Sequence, residues 1–315
     1  MTGAPEPMSP PARPKIPAHI VIFLAPAFLL YTIFMVWPLF DSIRLGFYTQ
    51  DRAGQLEFVG LGNYERLFFE PAWSDRLWGA LYNNVIFFII HLLVQNPVAL
   101  LLAALLCRPV LRLRGFYRTA IFVPVLLSQV IVGFIWQLIL NPLWGVSQTV
   151  LGLIGLEGLF RPWLGLEGSA LITLSLISVW QWVGLPMILF LAALLAVPED
   201  LVDAARIDGA GDWRIFWSIK FPLILPTVGL VTILTYIGNF NAFDLVYVMQ
   251  GIVGDPNFST DLLGLLFYRT YFGFIMQLGN PTMAAAVASV TFLIILAGLV
   301  VYQVFWQGRT TYHEL

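Results

Sequence analysis

The stretch from Asp203 to Pro222 reads DAARIDGAGDWRIFWSIKFP and breaks an otherwise apolar half of the chain. Just before it, Pro198 suits the first turn of a helix, and Glu199 and Asp200 suit that helix's positive end. Ala204 and Ala205 leave a surface with little side chain, so another protein can approach closely. Gly209 and Gly211 then stop or turn the helix. Beyond the turn, Trp213, Phe216, Trp217 and Lys220 recur at helical spacing, an amphipathic pattern suited to a membrane surface. The expectation is a short helix laid across the ends of two membrane spans, with a smooth face open for docking. A generic amphipathic loop is the plainer alternative.

The surroundings of this island set the fold class. Of 315 residues, 59% are hydrophobic and 11% are charged, whereas soluble domains carry about 25% charged residues. Mean hydropathy is +0.84. Both point to an all-α integral membrane protein. A helical span needs about 20 apolar residues. Six stretches qualify, at about 20–40, 79–106, 116–140, 170–196, 223–250 and 282–306, with the polar loop at about 198–222. Pro97, Pro124 and Pro186 fall inside spans, where neighbouring groups can satisfy the carbonyl that proline frees. Residues 1–19 are rich in proline and read as a disordered tail, not a signal peptide. Residues 20–315 read as one membrane domain without an internal repeat.

Lys and Arg set the orientation. With the N-terminus in the cytoplasm, the inner segments hold Arg13, Lys15, Arg108, Arg112, Arg114, Arg118, Arg206, Arg214, Lys220 and Arg309. The outer segments hold Arg44, Arg52, Arg66, Arg76, Arg161 and Arg269. The short loop with four arginines decides most strongly. Both termini and the Asp203–Pro222 stretch are therefore expected inside, in a multi-pass protein of the cell membrane.

Several chemistries find no residues here. There is no GxxxxGK[ST] loop, and Lys15 and Lys220 are the only lysines, so a P-loop nucleotide hydrolase is excluded. Neither HExxH nor GxSxG occurs. His19, His91 and His313 show no metal-ligand spacing, and His91 reads as a packed polar residue. Cys107 is the one cysteine, so no internal disulfide is possible. A net charge of −2 gives no reason to expect a nucleic-acid partner. No cofactor, metal or catalytic group is expected.

Polar groups inside a span suggest function. Gln129 in span three, Gln181 and Trp182 in span four, and Asn239, Asn241 and Asp244 in span five form the candidate substrate path. Amides match hydroxyls as donors and acceptors, and aromatic rings pack on sugar faces. The same side chains can instead hold helices together. Asp244, near the outer end of its span, also suits a structural pairing with Arg269 or a partner chain.

The polar loop resembles a motif of ABC importer permeases, E-A-A-x3-G-x9-I-x-L-P. Asp203, Ala204, Ala205, Gly209, Ile219, Phe221 and Pro222 stand at its offsets, with Asp203 in place of Glu and Phe221 in place of Leu. The segments FVGLGNYERLF (58–68), FYRTAIFVP (116–124), VWQWVGLPMILFLAALLAVPEDL (179–201), FNAFDLVYVM (240–249) and TMAAAVASVTFLII (282–295) are similar to permeases of the maltose, trehalose and glycerol-phosphate type of carbohydrate importer. The family usually follows span five with Thr-Gly-Gly-Gly-Pro, and Gln250 to Pro256 depart from it. The resemblance implies a six-span bundle for one of two permease subunits, often non-identical. It implies two ATP-binding subunits inside, where ATP is hydrolysed, and an external binding protein that captures the sugar. Asp203, Ala204, Ala205, Asp208, Gly209 and Ala210 would form the coupling helix that docks the ATPase. A permease for a non-sugar solute is the nearest alternative. A self-contained channel or secondary carrier fits less well, having no ATPase to dock.

Overall fold

The computed structural model describes residues 18–51, 54–108, 111–156, 158, 160–274 and 277–307. Most of the proline-rich tail expected over 1–19 lies outside the described residues, as do Arg309 and the C-terminus. The first helix, α1 (Ala18–Tyr31), runs through a π-turn at Thr32–Val36 into α2 (Trp37–Leu45), which packs on the last helix of the chain. None of the most apolar part of this first span is buried. A ribbon of β1 (Tyr48–Gln50) and β2 (Leu56–Phe58) and the short α3 (Gly62–Phe69) lead to the second span. That span joins α4 (Pro71–Ile90) to α5 (Asn96–Leu106) through a π-turn at His91–Gln95. Both spans outrun the expected 20–40 and 79–106, because the flanking turns are helical too.

The third span departs from the straight helix expected over 116–140. Here α6 (Arg114–Phe122) and α7 (Gln129–Leu140) meet at 98°. Pro124 sits in a 3-10 turn, Leu127 and Ser128 are extended, and Ser128 Oγ caps α7 by accepting from Val130 N–H. After α8 (Val146–Leu153), span four consists of α9 (Glu167–Trp182) and α10 (Gly184–Leu195), bent by 46°. Pro186 has no N–H for the Trp182 carbonyl, which accounts for the bend.

The polar loop is α11 (Glu199–Ile207), α12 (Asp212–Ile215), a π-turn at Phe216–Lys220 and the short α13 (Phe221–Leu223). It meets α14 (Leu225–Phe240) at 67°. The expected fifth span, 223–250, is not continuous. It breaks at Asn241–Phe243, where Phe243 is non-helical (φ −148°, ψ −58°), before α15 (Asp244–Gln250). Gly238, Asn239 and Asn241 are weak helix formers, so the break costs little there. The chain ends with α16 (Leu263–Phe272), a ribbon of β3 (Gly273–Phe274) and β4 (Gln277–Leu278), and α17 (Pro281–Tyr302). Among the described residues, three helices are long and apolar enough to cross a membrane, and up to six spans result if each bent pair counts as one.

Close approach of small residues holds the bundle together, as lipid offers no hydrophobic contrast. Ala99 and Ala103 of α5 lie fully buried against Met187 and Phe190 of α10. At Gly184 an added Cβ would stand 2.8 Å from the Ile121 carbonyl oxygen and 2.9 Å from Phe122 Cα. Only glycine lets α6 and α10 come this near.

Candidate functional site

The bends converge on one cavity of about 350 Å³. Most of its polar lining comes from places where a helix is broken. The π-turn of span two brings His91 and Gln95, α7 begins with Gln129, the kink of span four brings Ser178 and Trp182, and the break between α14 and α15 brings Asn239, Asn241 and Asp244. Broken helices at membrane depth are tolerated where they line a cavity, and π-turns recur at functional sites.

Each polar group has a local reason for its place. His91 is buried between the Phe87 carbonyl, 2.8 Å from Nδ1, and Ser178 Oγ, 3.0 Å from Nε2. A carbonyl only accepts, so Nδ1 carries a proton. Gln95 and Gln129 each have a buried Oε1 with no hydrogen-bond partner. Asn239 Nδ2 donates to the Thr235 carbonyl at 2.6 Å, and Asn241 Nδ2 to the Ile237 carbonyl at 2.9 Å. Asp244 is exposed to the cavity at the start of α15.

Five of the six residues expected on the path thus line this one cavity. Gln181 does not. It is fully buried behind Trp182, and its Nε2 donates to the Leu127 carbonyl at 3.2 Å, at the break of span three. Its amide satisfies backbone that the bend set free. The expected pairing of Asp244 with Arg269 is also absent. Arg269 forms a two-pronged pair with Asp261, at 3.2 and 2.7 Å, and also donates to the Ile252 carbonyl. Burial pushes the Asp261 carboxyl up, and the Arg269 guanidinium pulls it back down. Sequence reading missed Gln95, Ser178 and Thr235 and gave His91 only a packing role. The i, i+4 spacing of His91 and Gln95, just before Pro97, was the available signal.

Beyond the cavity, two asparagines fix the segment that follows α15. Asn83 Nδ2 donates to the Asp261 carbonyl at 2.9 Å. Asn84 donates to the Asn239 carbonyl at 2.9 Å and accepts from Leu263 N–H at 2.8 Å. Phe258, in the left-handed region at φ +60°, is held under Arg76, whose guanidinium stands 3.4 Å from the ring centre.

At the opposite end, α11 buries only Val202. Ala204 is exposed and Ile207 is 86% exposed. The helix ends in a Schellman motif: Gly209 N–H bonds the Arg206 carbonyl at 3.0 Å, and Ala210 N–H bonds the Ala205 carbonyl at 2.9 Å. Gly209 takes φ +81°, with open space where a Cβ would be. Pro198 stands one position before the helix, as its cap.

An α-helical membrane bundle with a polar cavity among broken helices, and an exposed amphipathic helix at one end, defines a solute-transporting membrane component. Residues 95–307 match the model of the binding-protein-dependent transport system inner membrane component, and the chain belongs to that family. The lactose transport system permease protein LacF of Rhizobium radiobacter is 35% identical over 275 residues, 87% of this chain and 88% of that one. The sn-glycerol-3-phosphate transport system permease protein UgpA of Agrobacterium fabrum is 30% identical over 295 residues, 92% of this chain and 95% of that one. The fold matches a chain from a bacterial ABC transporter involved in alginate import, with a TM-score of 0.75 and 21% identity, over 92% of this chain and 96% of that chain.

Proposed function

We propose that this chain is one of two permease subunits of an ATP-driven importer and forms half of the translocation path for a sugar, either an oligosaccharide or a sugar derivative. The cavity carries this reading. Amide, hydroxyl and aromatic groups line it with one carboxylate and, among the described residues, no lysine or arginine. That mixture suits a polyhydroxylated solute. The named solutes of the two relatives, lactose and sn-glycerol-3-phosphate, point to carbohydrates, and the lack of cations favours the neutral one. Gln129, Trp182, Asn239, Asn241 and Asp244 are assigned to the path. Gln181 supports it from behind.

The surface of α11, with Asp203, Ala204, Ala205, Asp208, Gly209 and Ala210, is assigned to ATPase docking. Two separate ATP-binding subunits hydrolyse ATP, an external binding protein delivers the sugar, and a non-identical paralogue supplies the other half of the path. Both termini and α11 face the cytoplasm. The test is ATP-dependent uptake by the reconstituted complex with its binding protein, offered labelled lactose and labelled sn-glycerol-3-phosphate. Uptake of the neutral sugar, reduced severalfold per complex by Asn241→Ala or Gln129→Ala, is expected. Uptake of the phosphate alone, or of no carbohydrate at all, overturns the reading.

A further inference from the structure

A second hollow, of about 630 Å³, lies between the end of span two and the amphipathic segment after α11. Its long wall is a stripe of α5: Pro97, Leu101, Ala104 and Leu105, ending at Arg108. Leu101 and Leu105 remain exposed. At 1.5 Å per residue, Pro97 to Arg108 spans about 16 Å. That is the depth of one leaflet of a hydrocarbon core about 30 Å thick. Trp213 and Trp217 also line the hollow, and tryptophan favours the level between acyl chains and headgroups.

The charged lining is mostly basic. Arg108, Arg206 and Lys220 line the hollow beside a single carboxylate, Asp212. Arg206 is shared with Asp203 at 3.2 Å. Among the described residues, no ion pair joins Arg108 or Lys220 to a carboxylate. A greasy wall as long as an acyl chain, running along the span, with Arg108 at its end and Lys220 in the same hollow, has the charge and shape of a lipid seat. A protein arriving from water would meet only the end of that wall.

We propose that this groove holds an anionic glycerophospholipid of the cytoplasmic leaflet, with an acyl chain along α5 and the phosphate between Arg108 and Lys220. The leaflet rests on the cytoplasmic placement of α11 proposed above. Basic pockets at this depth attract anionic headgroups. The lipid would hold the amphipathic segment against span two, so its headgroup charge would bear on the stiffness of the docking end.

The assembled complex, in discs of equal phosphatidylcholine and phosphatidylglycerol, is extracted and weighed by native mass spectrometry to count retained lipid. Preferential retention of phosphatidylglycerol is expected. The double variant Arg108→Gln, Lys220→Gln should weaken that preference about tenfold or more. Ala104→Trp, which fills the wall without changing charge, should also expel the lipid. Equal retention of the two lipids by the unaltered complex, or a preference that survives both changes, overturns the proposal. Loss of the ATPase subunit from the double variant with lipid retention unchanged would make the groove a protein interface and overturns it equally. Lipid counting needs neither ATP nor sugar, so its failure is separate from failure of the transport assignment.

Discussion

Gly209 holds its turn with a positive φ and nothing near its missing Cβ, so the constraint there is conformational. An L side chain in that region costs about 1–2 kcal/mol, and asparagine bears it best. Gly209→Val should therefore lower uptake well below Gly209→Asn while both insert normally. Uptake per membrane-inserted chain measures the difference, and equal uptake would show that the turn is not needed. Gln181 sets the opposite kind of constraint. Gln181→Ala removes the donor to the part-buried Leu127 carbonyl, a loss of about 0.5–1.5 kcal/mol. Purified complex should melt at a lower temperature with its sugar affinity unchanged. A weakened affinity at unchanged stability would return Gln181 to the path. Both residues stood out in the sequence, but only Gly209 could be interpreted there. Gln181 and Trp182 are adjacent, and which of two neighbours faces a cavity depends on the rotation of α9, which an apolar sequence on all sides leaves open.

The elements show a similar divide. Hydropathy marks where helices cross the bilayer, since length and composition decide that. It does not mark the 98° turn of span three or the break before α15. Pro124 hints at the first, yet Pro97 lies in a span that absorbs it with a π-turn and is continuous over 36 residues, Pro71–Leu106. What distinguishes them is tertiary: Gln181 is present to satisfy Leu127, and Gly184 lets α10 approach α6. Gly184→Leu should then force these helices apart and cut the yield of assembled complex, with normal yield as the contrary result. Asn84 joins α4 to both α14 and α16. Asn84→Leu strands the Leu263 N–H, while the Asn239 carbonyl keeps the Ala242 N–H at 3.3 Å, and should destabilise the complex by about 1–3 kcal/mol, read as a lower thermal midpoint with sugar specificity retained. Nothing in the local sequence singles out Asn84, because its partners lie 155 and 179 residues away.

For the whole molecule, arginine asymmetry and six spans give a simple forecast. A reporter fused after Leu315 should behave as cytoplasmic, and an external signal would require an odd number of crossings. Class and architecture were legible at this scale, because they follow from composition, span count and one spaced motif. The cavity's full lining was not, because it is assembled from four separate breaks. The first span leaves its most apolar stretch unburied, so part of the molecule's packing is completed by lipid or a companion chain. The lip of the basic groove carries one more feature, the partly exposed thiol of Cys107. This chain has no other cysteine, so within it a spin label or fluorophore reports from one site. Its mobility would clock, in real time, any movement between span two and the segment after α11.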